Sequence, residues 1–123
     1  RWVIGVAIDR YAKGYYFSDV ARVGLINDTI GPYPIAVYAD LESHNVHVYL
    51  RQVDDRIVEL QLSPDGDALV DAETGAQWDL AHALPKTQTN TNEGLLLIPY
   101  MSSYDSAWYD FYPESEIYSI DLQ

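Results

Sequence analysis

The sequence predicts an all-β fold, a single sandwich or barrel-like antiparallel sheet domain with one or two short helices. Three observations predict it. Short β-branched and aromatic runs recur at spacings near ten residues. Clusters of Gly, Pro and Asp separate them, which is the pattern of many short strands joined by turns. No linker and no internal repeat divides the chain, so residues 1–123 read as one β-rich domain.

Trp2 to Ile8 reads as the first strand, and Asp9-Arg10 as a two-residue turn into a second strand, Tyr11 to Phe17. Ser18 or Asp19 is expected to cap a helical turn over Val20 to Arg22. Val23 to Asn27 follows as a strand. Gly31-Pro32-Tyr33-Pro34 reads as a stiff turn, because two prolines fix φ and remove two donors. Ile35 to Tyr38 and Val46 to Leu50 are the next strands. Val53 to Arg56 reads as a hairpin turn into Ile57 to Leu62, with Val58, Leu60 and Leu62 on the core side.

Ser63 to Asp67 is a strong turn signal. Ala68 to Asp71 is a short strand, which Glu73-Thr74-Gly75 turns back into Ala76 to Trp78. Pro85 to Asn92 is expected to be a mobile surface loop. Leu95 to Pro99 is another strand. Asp105 or Ser106 should cap a short helix through Tyr112, stopped by Pro113, and Ile117 to Leu122 closes the chain as a strand.

Nineteen acidic residues against seven basic ones give a net charge of −12. Such a surface repels phosphate backbones and anionic lipid, so neither nucleic acid nor an anionic membrane surface is an expected partner. A salty or extracellular setting, a basic protein partner or a cation all suit it. There is no cysteine, which excludes disulfides, thiolate metal sites and thiol nucleophiles. The apolar run Leu95 to Ile98 is far too short for a transmembrane segment. The chain opens on Arg1 without Met and shows no signal peptide, as expected of a processed mature form or a fragment.

Several motifs then stand out in order: Asn27-Asp28-Thr29-Ile30-Gly31, Val53-Asp54-Asp55-Arg56, Asp71-Ala72-Glu73-Thr74-Gly75-Ala76-Gln77-Trp78, and Ser106-Ala107-Trp108 leading to Tyr112-Pro113. With the opening hairpin they resemble the bacterial and archaeal family known as domain of unknown function 3179, from about Val3 to Tyr118. The resemblance marks Asn27, Asp28, Gly31, Asp71, Glu73, Gly75, Trp78 and Trp108 as structural motif residues. It implies no settled activity. Members often look exported or lipid-anchored, which implies an extracytoplasmic site: periplasmic, cell-surface or secreted. The family usually carries two cysteines and a His-Glu pair, and the matching positions here are Ala39, Glu42, Val23 and Gly24. The alanine, valine and glycine among them cannot coordinate metal or transfer protons, as two thiols and an imidazole could.

Glu42, His44 and His47 are the remaining metal-ligand candidates, with chemistry suited to Zn²⁺ or Cu²⁺. Along an extended strand His44 and His47 would point to opposite faces, so a site needs a bend between them. Asp65, Asp67, Asp71 and Glu73 offer oxygen ligands of the kind Ca²⁺ takes, but their order does not match an EF-hand loop and reads as a solvated turn. Within it Asp71 and Thr74 should make turn hydrogen bonds, and Gly75 should supply a positive φ.

Eleven tyrosines and three tryptophans include a C-terminal crowd. Tyr100, Tyr104, Tyr109 and Tyr112 are the candidate partner-binding residues, for a protein interface or a sugar face. Trp108 and Phe111, three apart on a short helix, should share a face packed on the sheet. No nucleophile-elbow motif, phosphate loop or dinucleotide fingerprint is present, so no catalytic residue is assigned. The expected function is a non-catalytic, extracytoplasmic accessory or structural domain mediating protein–protein assembly. The alternatives are a metal-binding or redox accessory protein using Glu and His ligands, and a carbohydrate-binding module. No cofactor is otherwise expected.

Overall fold

The β-branched run Trp2–Ile8 forms β1 and reverses through Asp9-Arg10 into β2, Tyr11–Tyr16. Ile8 pairs with Tyr11, so the loop has two residues, and Asp9 takes the positive φ of 54° that a tight hairpin requires. The computed structural model describes residues 1–86 and 93–118. After β2 come α1 (Phe17–Val23), β3 (Leu25–Ile30), β4 (Tyr33–Ala39), β5 (Val46–Leu50), β6 (Gln52–Val53) and β7 (Arg56–Ile57). Then follow β8 (Leu60–Leu62), β9 (Ala68–Asp71), β10 (Gln77–Asp79), β11 (Leu96–Leu97), β12 (Met101–Tyr104), α2 (Asp105–Phe111) and β13 (Glu116–Tyr118).

The described strands form two four-stranded sheets, ordered β12-β1-β2-β13 and β11-β5-β4-β3, a three-stranded sheet β10-β9-β8, and the ribbon β6-β7. The β3–β5 sheet is the middle layer. Ile26, Ile30, Ile35, Val37, Val46 and Val48 pack from it against Ile4, Val6 and Tyr15 of the first sheet. From its other face Ala36 and Tyr49 pack against Val58, Leu60, Leu69 and Trp78. Alternation along β4 therefore feeds two cores. Ile35, Ala36 and Val37 are all 0% exposed, the pattern of a strand covered on both faces. The fold is all-β with two short helices.

Several details depart from the sequence reading. Both helices begin without a side-chain cap. Ser18 and Asp19 lie inside α1 and accept hydrogen bonds from the Arg1 guanidinium instead. Asp105 is the first residue of α2, and its carboxylate takes the Ser106 N–H. Pro34 lies within β4, paired with Thr29, so the turn is only Gly31-Pro32. The run Ile57 to Leu62 breaks at Val58-Glu59: β7 pairs with β6 and β8 with β9. Its alternation holds across the break, with Val58 and Leu60 buried, Leu62 half-buried, and Ile57, Glu59 and Gln61 exposed.

β12 is an unexpected strand, because Met101–Tyr104 is polar at its centre and takes its place through pairing with β1. β13 pairs parallel to β2, so the first sheet is not purely antiparallel. Of the expected strand from Ile117 to Leu122, Ile117 and Tyr118 lie in β13 and the rest falls outside the described residues, as does the expected loop from Pro85 to Asn92 after Lys86.

Candidate functional site

The motif Asn27-Asp28 lies on β3, where successive side chains point to opposite faces of the middle sheet. Asn27 turns toward the three-stranded sheet. Its Nδ2 donates to the Leu60 carbonyl at 2.8 Å, and its Oδ1 accepts the Leu60 N–H at 2.9 Å. Asp28 turns the other way. It accepts the Tyr15 hydroxyl at 2.8 Å and pairs with Lys13 Nζ at 2.8 Å. Burial, then the Asp28 charge, push the Tyr15 hydroxyl well above the usual tyrosine range. Two adjacent residues thus bind the middle layer to both outer layers.

Arg51, which the sequence reading passed over, adds a third tie. Its guanidinium donates to the backbone carbonyls of Ile35, Val58 and Asp28 at 2.8, 3.2 and 2.8 Å. Burial lowers its pKa from the ordinary arginine value. Its isolated position after a strand gives no composition signal; only the extended alternation hinted that it faces inward.

Asp71 ends β9 with its side chain fully buried. Arg56 donates to its Oδ2 at 2.6 Å, Thr74 Oγ1 to the same oxygen at 2.8 Å, and the Glu73 N–H to its Oδ1 at 2.9 Å. Burial raises the Asp71 pKa, and these donors more than reverse it, so the carboxyl lies below the usual range. Gly75 supplies φ 79°, and its N–H closes the turn on the Asp71 carbonyl at 2.8 Å. Glu73 is exposed and adds a second contact to Arg56 at 3.4 Å. The block of acidic residues is therefore a hydrogen-bonded turn. Asp65, with Ser63 donating to it, is drawn down to about 2.

Trp78 and Trp108 are each 0% exposed. Trp78 Nε1 donates to the Glu93 carbonyl at 3.0 Å, and Trp108 Nε1 to Ser115 Oγ at 2.7 Å. The Trp108 indole lies over Gly5 and Gly14, which face each other across β1 and β2. A Cβ on Gly5 would fall 2.2 Å from the ring, so only glycine permits this approach. Phe111 does not share that burial. It is 71% exposed, because the seven-residue helix carries it past the covered strands to the rim of a groove.

That groove, of about 590 Å³, lies between the Arg10–Lys13 stretch, the Thr29–Gly31 turn and the Phe111–Glu116 segment. Two of the sequence motifs meet at its edge. Gly31 takes φ 56° there, and a Cβ on it would strike the Tyr11 ring at 2.5 Å. Tyr11 and Tyr112 are half-buried in it, and Lys13 bridges Asp28 and Glu116.

The positions matched to the family's cysteines and His-Glu pair converge in part: the Ala39 N–H donates to the Gly24 carbonyl at 3.1 Å. Ala39 is buried, while Val23 and Glu42 are exposed. Glu42, His44 and His47 are not brought together. His44, at φ 62°, packs edge-on against Phe17 on one side of the middle sheet. His47 stacks on Tyr38, which belongs to the core on the other side. The turn at Asp40–Asn45 holds His44 outside β5, and the two imidazoles lie on opposite sides of the middle sheet. Among the described residues no three His, Cys, Asp or Glu side chains are grouped to hold a metal ion.

Of the candidate partner residues, Tyr100, Tyr104 and Tyr109 are exposed. Tyr112 instead lies half-buried on Trp108, ring centres 4.5 Å apart. Tyr104 forms a second aromatic pair with exposed Trp2 at 4.6 Å, a contact made only because β12 pairs with β1.

The family model described as protein of unknown function (DUF3179) matches residues 1–115. The chain belongs to the DUF3179 family. No curated protein and no solved structure matches it. The match covers the Asn27-Asp28 clamp, the Asp71 turn and the Trp108 seat, so these three devices lie within the DUF3179 region of the chain. No helix among the described residues is long and apolar enough to cross a membrane.

Proposed function

We propose that this DUF3179 domain is a non-catalytic, extracytoplasmic accessory or structural domain that mediates protein–protein assembly. One observation carries the reading. Trp2, Tyr100, Met101 and Tyr104, each between 41 and 62% exposed, gather on and beside β12 at the edge of a sheet. Aromatic and methionine side chains concentrated at an open edge suit a protein interface. The net charge of −12 favours a basic partner. The motif residues support the same reading, since Asn27 and Asp28 hold layers together and the Asp71 block and Trp108 build a turn and the core. Gentle isolation from the native envelope, followed by intact-mass spectrometry and elemental analysis, tests it. Co-migration with a fixed partner is expected, and a lone, well-folded monomer would count against it.

A second reading, a carbohydrate-binding module, draws on the groove of about 590 Å³ with its Tyr11, Tyr112 and Phe111 rings. Its size is that of ordinary small-molecule sites. Calorimetric titration with neutral oligosaccharides would show binding lost in Phe111→Ala, and silence across a glycan array would remove this reading.

A further inference from the structure

We propose that β12 accepts an additional strand from a basic protein partner, which seats one large apolar side chain in a slot between the first two sheets. The proposal rests on the assembly reading above and specifies its mode.

The register defines the geometry. The Asp105 N–H donates to the Arg1 carbonyl at 2.9 Å, which makes Asp105 and Arg1 a hydrogen-bonded pair. Antiparallel pairs alternate, so Ser103 with Val3 and Met101 with Gly5 belong to the same class. The N–H and C=O of Ser102 and the N–H of Tyr104 therefore point to the free edge, while the Tyr104 carbonyl, at the N-cap of α2, opens the helix. β12 is terminal in its sheet, and no described strand pairs with that edge. Unpaired edge groups are a template for strand addition.

The side chains fit the same arrangement. Ser102 pairs with Ile4, whose side chain lies in the core between the first sheet and the middle sheet. Directly opposite residues of paired strands share a face. An incoming residue opposite Ser102 thus projects toward the space between those sheets. A slot of about 250 Å³ lies there, lined by Trp2, Val3, Phe17, His44, Val46 and Ser102. Its mostly apolar lining calls for an apolar anchor, and its volume suits one large side chain. The surplus of nineteen acidic over seven basic residues calls for lysine or arginine on the rest of the incoming strand.

The probe is the synthetic peptide Lys-Thr-Val-Lys-Phe-Lys-Val-Thr-Lys, whose odd positions share one face in an extended strand. Binding is followed by anisotropy of a labelled peptide and by amide NMR. The expected result is binding that slows exchange of the Ser102 and Tyr104 amides and shifts His44 and Val46. Ser102→Pro removes one edge donor without touching the pairing to β1, and Ser102→Phe fills the slot. Each should weaken binding roughly tenfold or more, as should alanine in place of the peptide's Phe. Should Ser102→Pro fail to fold, Ser102→Phe and the alanine peptide still decide. No binding, or binding indifferent to all three changes, overturns the proposal. A native partner retained equally by both Ser102 variants would overturn strand addition while leaving assembly itself standing.

Discussion

Asn27 and Leu60 exchange two hydrogen bonds, at 2.8 and 2.9 Å, between an amide side chain and a backbone in another sheet. The amide acts as one residue's worth of strand, pairing with β8 where no strand of the middle layer reaches it.

Asn27→Ala leaves the Leu60 N–H and C=O without partners in a largely buried position. A loss of about 2–3 kcal/mol is expected. Urea unfolding checks it. Asn27→Asp should restore little, since a carboxylate accepts the Leu60 N–H but repels its carbonyl oxygen.

Gly5→Ala drives a methyl into the Trp108 indole, at an expected cost of about 1–3 kcal/mol. Trp108→Leu should be destabilising alone yet lessen the penalty of Gly5→Ala. A double-mutant cycle reads that coupling, and strict additivity would contradict the seat described for the indole.

Asp71 has a folded pKa below its ordinary value of 3.8, with Arg56, Glu73 and Thr74 holding the ionised form against the opposing effect of burial. A depressed carboxyl stabilises the fold above the unfolded pKa, and that contribution is lost as pH falls through the folded one. Asp71→Asn should therefore lower stability at pH 7 and flatten its decline below about pH 4. Thermal midpoints across pH 2 to 7, with and without the substitution, measure both effects.

His47 is shifted in the other chemical sense. Burial lowers its pKa from 6.5, against the raising influence of Asp79. The unfolded chain then binds the proton more readily than the fold does, so stability falls as pH drops below 6.5 toward the folded value. His47→Gln should remove that slope in chemical denaturation between about pH 5 and 7. An unchanged slope would place the titrating group elsewhere.

The sequence made the strands legible where alternation is strong. Trp2–Ile8 and Val46–Leu50 need only β-branched residues to declare themselves. β12 was illegible, because Met-Ser-Ser-Tyr has no strand signature and is held by a partner about a hundred residues away. The helix starts were misplaced for a related reason: Ser18, Asp19 and Asp105 have capping chemistry, but their side chains are drawn to Arg1 and Ser106. The motif residues were identifiable as such, yet Asn27 and Asp28 revealed their opposite roles only once the three layers were in place. Arg51 went unnoticed, and the ion-pair roles of Lys13 and Arg56 were illegible, because their partners lie elsewhere along the chain or on backbone. His44 lies outside β5, in the preceding turn at φ 62°, so the parity expected of an extended strand does not govern it. The turn sets His44 and the strand sets His47 on opposite sides of the middle sheet.

The pairing of β12 with β1 also bears on when the domain becomes finished. β3, β4 and β5 are neighbours in sequence and can zip locally as the chain emerges from the ribosome. The first sheet holds only the β1–β2 hairpin until residues beyond 100 arrive. Its outer edge does not exist on a half-made chain. Any partner that reads that edge is thereby restricted to completed copies, and synthesis order itself acts as the proofreader of assembly.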